Sequence, residues 1–390
     1  MTATLGFDDA LLARRDGAWT AREIAQQPGV WREVMARAGD DGRAAFVARQ
    51  LATPGLRVLL AGAGTSAFIG ESLAPAMARR TGARTDAVAT TDLVAGPGRH
   101  FQRAVPTLMV HFARSGNSPE SVAALRLADR CVDDCRHLVI TCNETGALAE
   151  EARRRGPDAA RLLVLPAATN DRGFAMTSSF SSLLLAAARL FGLVDAAPEA
   201  AAQDLIARAP ALAAALAAQG FERVVYLGAN ELKGLARESA LKLLELSDGR
   251  VVGLHDSPLG FRHGPKTFID GRTLVVLFLS NDEHARRYDL DLLRELRADG
   301  RAGRVLAIGG DDAGAPAGAD DLRVAALAGA PDIALVPALA VFAQVFALHQ
   351  SLALGLRPDN PSVSGTVNRV VRGVTIHPWP GEEVRDVPGH

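Results

Sequence analysis

Apolar runs of strand length alternate with stretches of helical period along most of the chain. "RVLLAGAG" (57–64) carries no polar position after its first residue and ends in small residues, and "TSAFIGESLAPAMAR" behind it has a helical pattern. The same succession returns as "RVVYLGAN" (223–230) and "ELKGLARESALKLLEL". "TLMVHFARS" (107–115) likewise returns as "TLVVLFLSN" (273–281), and two further runs come after it in each half: "HLVITC" with "RLLVLPA", then "RVLAIGG" with "DLRVAAL". Gly62 and Gly228 are 166 positions apart, and so are Thr107 and Thr273. One offset kept across separate elements predicts two copies of a single fold. Strands without polar alternation, interleaved with helices, predict parallel sheets covered on both faces. The expected class is α/β, with two tandem doubly wound sheets.

The remaining segments set the boundaries. Residues 1–50 form a helical N-terminal segment in which "TAREIAQQPGVWREVMARA" breaks at Pro28-Gly29. Residues 51–200 hold the first sheet and 201–350 the second, linked by an alanine-rich helix near 195–219. After 331 comes one long helix, "IALVPALAVFAQVFALHQSLALGL". The tail, 351–390, then runs into "RPDNPSVSGTVNRVVRGVTIHPW", too rich in Pro, Ser and Asn for core and predicted to be a flap.

Composition narrows the function classes. Hydrophobic residues at 48% and charged ones at 22% describe a globular chain and exclude a disordered one. A net charge of −1 leaves no footprint for nucleic acid or an anionic membrane surface. No apolar run is read as approaching the about 20 residues that span a bilayer. The N-terminus has acids where a signal peptide needs a basic patch, so a cytoplasmic protein is expected. Cys131, Cys135 and Cys142 lie near His137, but a helix and a strand end would hold them apart. Buried free thiols are expected rather than a metal site.

Ligands of open parallel sheets bind beyond the carboxyl ends of the strands. In the first copy those ends carry Gly62-Ala63-Gly64-Thr65-Ser66 and "ARSGNSPES", where Ser118 is placed to cap a helix and Pro119 to start it. Thr65, Ser66, Ser115 and Ser118 supply hydroxyls beside two helix N-termini, which favour anions, and Arg114 adds a charge. "GAGTSAFIG" is not a dinucleotide fingerprint, and no Gly-Lys-Ser/Thr ending of a P-loop occurs. The corresponding turns of the second copy, "GANELKG" and "LSNDEHARR", lack this run of hydroxyls. A phosphate site is therefore predicted in copy one alone.

Acid and base candidates lie in copy two. Leu232, Leu235, Ala236, Ser239, Leu243 and Leu246 make the packed face of a helix; Glu238, Lys242 and Glu245 share another face, which by pattern alone is a solvated charge cluster. The loop "DSPLGFRHGPKTFID" (256–270) holds His263 between Arg262 and Gly264-Pro265, and a histidine there can move protons near neutral pH. Lysine is scarce, at Lys233, Lys242 and Lys266 only.

The paired copies, the turns "GAGTS" and "RSGNSPES" and the run "ESALKLLELSDG…FRHGPKTFID" resemble the sugar isomerase (SIS) domain family, over nearly the whole chain. The fold implied is flavodoxin-like in each copy. The chain is similar to the isomerase half of glucosamine-6-phosphate synthase. It is closer to the galactosamine-6-phosphate deaminase/isomerase branch, formerly tagatose-6-phosphate ketose/aldose isomerase, through "GFAMTSSFS" (with Thr177), "DSPLGFRHGPK" and "PDNPSVSGTVNRVV". The resemblance implies sugar-phosphate contacts at Ser66, Ser115 and Ser118, with Arg114 in place of a glutamine; Gly64, Thr65 and Thr177 are further candidates for binding the sugar phosphate. It implies a C1/C2 proton-transfer base at Glu245 and a ring-opening histidine at His263, shared across a homodimer. Two departures stand out: Ala113 replaces a serine, and the tail offers Asn368, Arg369 and Arg372 where the synthase has a lysine. An arginine cannot form a Schiff base, so Arg369 is expected to clamp or cover substrate. Neither cofactor nor metal is called for, and no nucleic-acid or membrane partner. The activity implied is deaminating isomerisation of an amino-sugar 6-phosphate. Plain aldose–ketose isomerisation of a hexose 6-phosphate, or a sugar-phosphate-binding regulator without chemistry, remain as alternatives.

Overall fold

A computed structural model describes residues 3–39, 41–310, 318, 321–362, 364–365, 367–371 and 373–380. The first sheet contains β1 (Arg57–Gly62), β2 (Arg84–Ala89), β3 (Thr107–Ala113), β4 (Cys135–Thr141) and β5 (Ala160–Val164), all parallel in the order β2-β1-β3-β4-β5. The second contains β6 (Arg223–Leu227), β7 (Val252–Asp256), β8 (Thr273–Phe278), β9 (Arg304–Gly309) and β10 (Leu322–Arg323), ordered β7-β6-β8-β9-β10. Both orders are 2-1-3-4-5, the flavodoxin-like arrangement. The repeat extends to register, since Arg57 pairs with Thr107 and Arg223 with Thr273. A Cβ on Gly62 would strike the Ser66 backbone and one on Gly228 the Leu232 backbone, again 166 residues apart.

Four strands per copy are legible in the pattern, but each sheet has five. The additional ones, β2 and β7, are edge strands, exposed or half-buried along their length, so neither reads as an apolar run.

Nine helices bear on the site: α1 (Ala18–Ala25), α2 (Gln27–Ala38), α3 (Thr65–Thr81), α4 (Pro119–Cys131), α5 (Ser178–Leu190), α6 (Glu199–Ala217), α7 (Glu231–Leu246), α8 (Glu283–Asp299) and α9 (Asp332–Ala353). The break between α1 and α2 falls at Gln26, not at Pro28-Gly29. Pro28 lies in the first turn of α2, where its missing N–H costs nothing. Helix α9 has 22 residues and a mean hydropathy of 1.7, long and apolar enough to cross a bilayer. This corrects the expectation that no such run exists. Inside this protein it is 94% buried and packs against α6 and α7.

Helices α3 and α7, equivalent in the two copies, lie against each other. Their crossing is close because of Gly234, where an added Cβ would lie 2.2 Å from Ser72 Oγ and 2.7 Å from the Ser72 nitrogen. The crossing brings the strand ends of copy one to the side of a helix from copy two.

Candidate active site

The first two turns of copy one form one wall. Helix α3 starts at Gly64, whose φ of 55° and ψ of −129° favour glycine, and no side chain caps it. Helix α4 starts at Ser118 with Pro119 in its first turn, as the sequence predicts, but the Ser118 hydroxyl does not cap. It donates instead to Glu120 Oε2 at 2.6 Å. Both helices thus present N-termini without a side-chain acceptor, the condition in which they attract an anion. Thr65 and Ser66 are buried, with Ser66 Oγ 4.0 Å from Met176 Sδ, and Ser115 Oγ accepts from the Asn117 amide at 3.3 Å.

Helix α7 forms the facing wall, and its charges are not solvated. Glu238 and Lys242 are each 1% exposed; Lys242 Nζ lies 3.5 Å from Glu238 Oε1 and also pairs with Glu245 Oε2. Of the three, Glu245 alone has solvent access, with 24% of its side chain exposed. The pattern misleads because α7 is covered on several sides, by α3, α9 and its own sheet, so a face without leucines is still interior.

That burial sets the electrostatics. Desolvation lifts the Glu238 carboxyl to about 8, Glu245 pushes the same way, and Lys242 and the Thr65 hydroxyl pull it back. For Lys242, burial alone would lower the ammonium's pKa, but Glu238 and Glu245 outweigh it and raise it. A permanently charged lysine between two carboxylates fixes the position of Glu245 at the mouth of the line.

Arg114 does not stand free for an anion. It is buried, with donors directed to the carbonyls of Phe174 (3.0 Å), Gly173 (3.5 Å) and Arg369 (2.5 Å). Its guanidinium pKa is lowered by burial and by Arg369, against the pull of Asp171 and Glu245. Arg369 in turn donates from Nε to the Asp171 carbonyl at 2.8 Å and from its terminal nitrogen to Asn170 Oδ1 at 3.1 Å. The tail is thereby tied to the loop before α5. Arg372, also considered in the sequence, lies outside the described residues.

Thr177 is fully buried at the N-cap of α5, and its amide and hydroxyl both turn to Asp171 at 2.8 and 3.3 Å. The same carboxylate accepts from Ser178 and Ser179, filling that helix N-terminus from within the chain. Glu23 of α1 accepts from the amides of Arg172 (2.5 Å) and Gly173 (3.1 Å), and burial with the Asp171 charge lifts it to about 8.

The loop 256–270 splits its roles. Arg262 reaches Glu295 of α8 at 2.8 Å, and Lys266 pairs with Glu295 and Asp299, so these two pin the loop. His263 stands exposed beside them, and among the described residues no hydrogen bond or ion pair joins its ring to the Glu245 line. Cys131, Cys135 and Cys142 are buried and outside any disulfide, and His137 is held between His111 (3.0 Å) and Asp129 (2.8 Å).

Glu245 and the hydroxyl turns are candidates by sequence; Glu238 and Lys242 differ from the expected solvated face by being interior, and Asp171 and Glu23, as acceptors of backbone amides, have no counterpart among the sequence candidates. Lysine scarcity was the one available signal, pointing to Lys242.

The SIS domain model matches residues 50–191. A Streptomyces coelicolor relative of the AgaS group is 49% identical over 385 residues, covering 96% of this chain and 97% of that protein. The Escherichia coli protein named D-galactosamine-6-phosphate deaminase AgaS is 45% identical over 382 residues, 94% of this chain and 97% of its own. Among solved structures, the tagatose-6-phosphate ketose/aldose isomerase of Escherichia coli superposes with a TM-score of 0.78 at 42% identity, over 93% of this chain and 97% of that one.

Proposed function

The chain belongs to the SIS domain family, beside the D-galactosamine-6-phosphate deaminases, and on that premise we propose that it converts galactosamine 6-phosphate and water into tagatose 6-phosphate and ammonia. The observation that carries this is the Glu238–Lys242–Glu245 line, buried except at Glu245 and facing the hydroxyl-rich turns of copy one.

In this scheme residues 51–200 hold the phosphate through the uncapped N-termini at Gly64 and Ser118 with Thr65, Ser66 and Ser115. Ser118 joins them by leaving Glu120. Anchoring the remote end of the substrate orients C1 and C2 at Glu245. His263, from the partner of a homodimer, assists ring opening. Glu245 takes the C2 proton of the open-chain aldehyde; as the C1 oxygen is protonated, an enolamine forms. Return of the proton at C1 gives a ketose imine, and water releases ammonia from it. Residues 201–350 supply this acid–base chemistry. Arg114, Arg369 and Thr177 fix the loop at Asp171 and the tail at Arg369, so that the tail segment around Arg369 covers the substrate; the rest of the expected 351–390 flap lies partly outside the described residues. The protein works in the cytoplasm.

Ammonia release from galactosamine 6-phosphate, monitored with chelator present, tests the assignment. Wild type is expected to release ammonia, and Glu245→Gln to lose about 10²-fold or more in kcat with little change in KM. Near-wild-type turnover by the variant would remove Glu245 from the mechanism. Isomerisation of a hexose 6-phosphate without ammonia release would replace deamination by the plain aldose–ketose reaction.

A further inference from the structure

A cavity of about 390 Å³ opens at the carboxyl edge of the second sheet. Its wall includes Arg79 near the end of α3, Asn230 and Glu231 at the start of α7, Asn281 and Asp282 after β8, and Asp332 at the start of α9. The repeat offset of 166 sets Asn230 against Gly64, Glu231 against Thr65, Asn281 against Ser115 and Arg79 against Glu245. The cavity is therefore the counterpart of the active site across the α3–α7 crossing, with the charges exchanged. A carboxylate stands where the phosphate turn has a hydroxyl, and a guanidinium stands where the proton shuttle has a carboxylate.

Glu231 is 7% exposed and lines this cavity, yet among the described residues no other gives its carboxylate a hydrogen bond or ion pair. Burial raises its pKa and the charge of Asp332 adds to the rise, while Arg79 on the same cavity wall pulls it back without making an ion pair, so the carboxylate keeps a place for a direct partner. The neighbouring acids are engaged: Asp332 Oδ1 accepts from the Asn281 amide at 2.7 Å, and Asp282 Oδ1 from the Ala285 amide at 2.9 Å. Too few convergent oxygens remain for a divalent ion, which wants six or more. An ammonium group, with three donors, fits one open carboxylate and spare lone pairs. The volume exceeds that of a bare ion, at about 30 Å³ per water displaced, and suits a molecule of hexose size. Three carboxylates against one arginine repel a phosphate.

We propose that this crevice is a second ligand site, which takes a small unphosphorylated primary amine through Glu231. Isothermal titration of the full chain with unphosphorylated galactosamine tests it, with N-acetylgalactosamine as the neutral comparison. Saturable binding is expected for the amine, at least tenfold weaker for the acetylated sugar and for Glu231→Gln, and unchanged in Glu245→Gln. Arg79→Ala, an exposed position, tightens binding by removing a like charge, and keeps the test open if Glu231→Gln fails to fold. No saturable binding up to about 10 mM, equal binding of the acetylated sugar, indifference to both crevice variants, or loss in Glu245→Gln would each overturn the assignment.

Discussion

Glu238→Gln separates the cost of a buried carboxylate from the benefit of its position. In the folded protein the group titrates near 8, against an ordinary value of 4.5. An acid whose folded pKa is raised holds a proton that the unfolded chain releases. The folded state is therefore penalised increasingly as pH rises above 4.5, until the penalty levels off near 8. At about 1.4 kcal/mol per pH unit, the penalty is about 3 kcal/mol at pH 7 and about 4 at pH 8. It is under 1 kcal/mol at pH 5. Glutamine keeps the shape and leaves its amide beside Lys242, whose Nζ lies 3.5 Å from Glu238 Oε1, while Lys242 keeps Glu245 as its counter-ion. The variant is thus expected to gain roughly 3 kcal/mol on wild type between pH 5 and pH 8, read as diverging urea midpoints at fixed m. Parallel stability profiles, within about 0.5 kcal/mol over that range, would refute the reasoning.

The same geometry gives two further expected outcomes. Lys242→Met leaves Glu238 buried without its cation, and urea unfolding at pH 8 should show a loss of about 3–5 kcal/mol, with ammonia release abolished. Asn230 has φ 49° and ψ −119°, nearly the conformation of Gly64 at the equivalent position, so Asn230→Gly should raise stability by about 1 kcal/mol in thermal unfolding without changing turnover.

Much of the fold is legible because the central strands are apolar throughout and their helices punctuated by glycine. What escapes is whatever depends on two distant segments meeting. The edge strands β2 and β7 carry polar residues that only the sheet's closure explains. The hydroxyl turns can be located from their residue types, since Gly64, Ser66 and Ser115 lie at strand ends. The burial of Glu238 and Lys242 cannot, because the sequence of α7 does not say that α3 will cover its charged face. Asp171 is still less legible: nothing in "TNDRG" foretells that it will fill the N-terminus of α5 while its backbone carbonyl holds Arg369 of the tail. Arg114 misleads for the same reason, since its partners are carbonyls that come from the chain's fold and not from its composition.

The α3–α7 crossing has a consequence for how such a protein can diversify. The active-site crevice takes its turns from copy one and Glu245 from copy two, and its counterpart takes its turns from copy two and Arg79 from copy one. Two unlinked single copies, paired in the same way, would carry a change in either crevice into both. Covalent joining ends that symmetry. Position 65 can remain a threonine while position 231 becomes a glutamate, and position 245 an acid while position 79 is a base. Tandem duplication in one chain is thus what allows two mirrored pockets to answer to different chemistry.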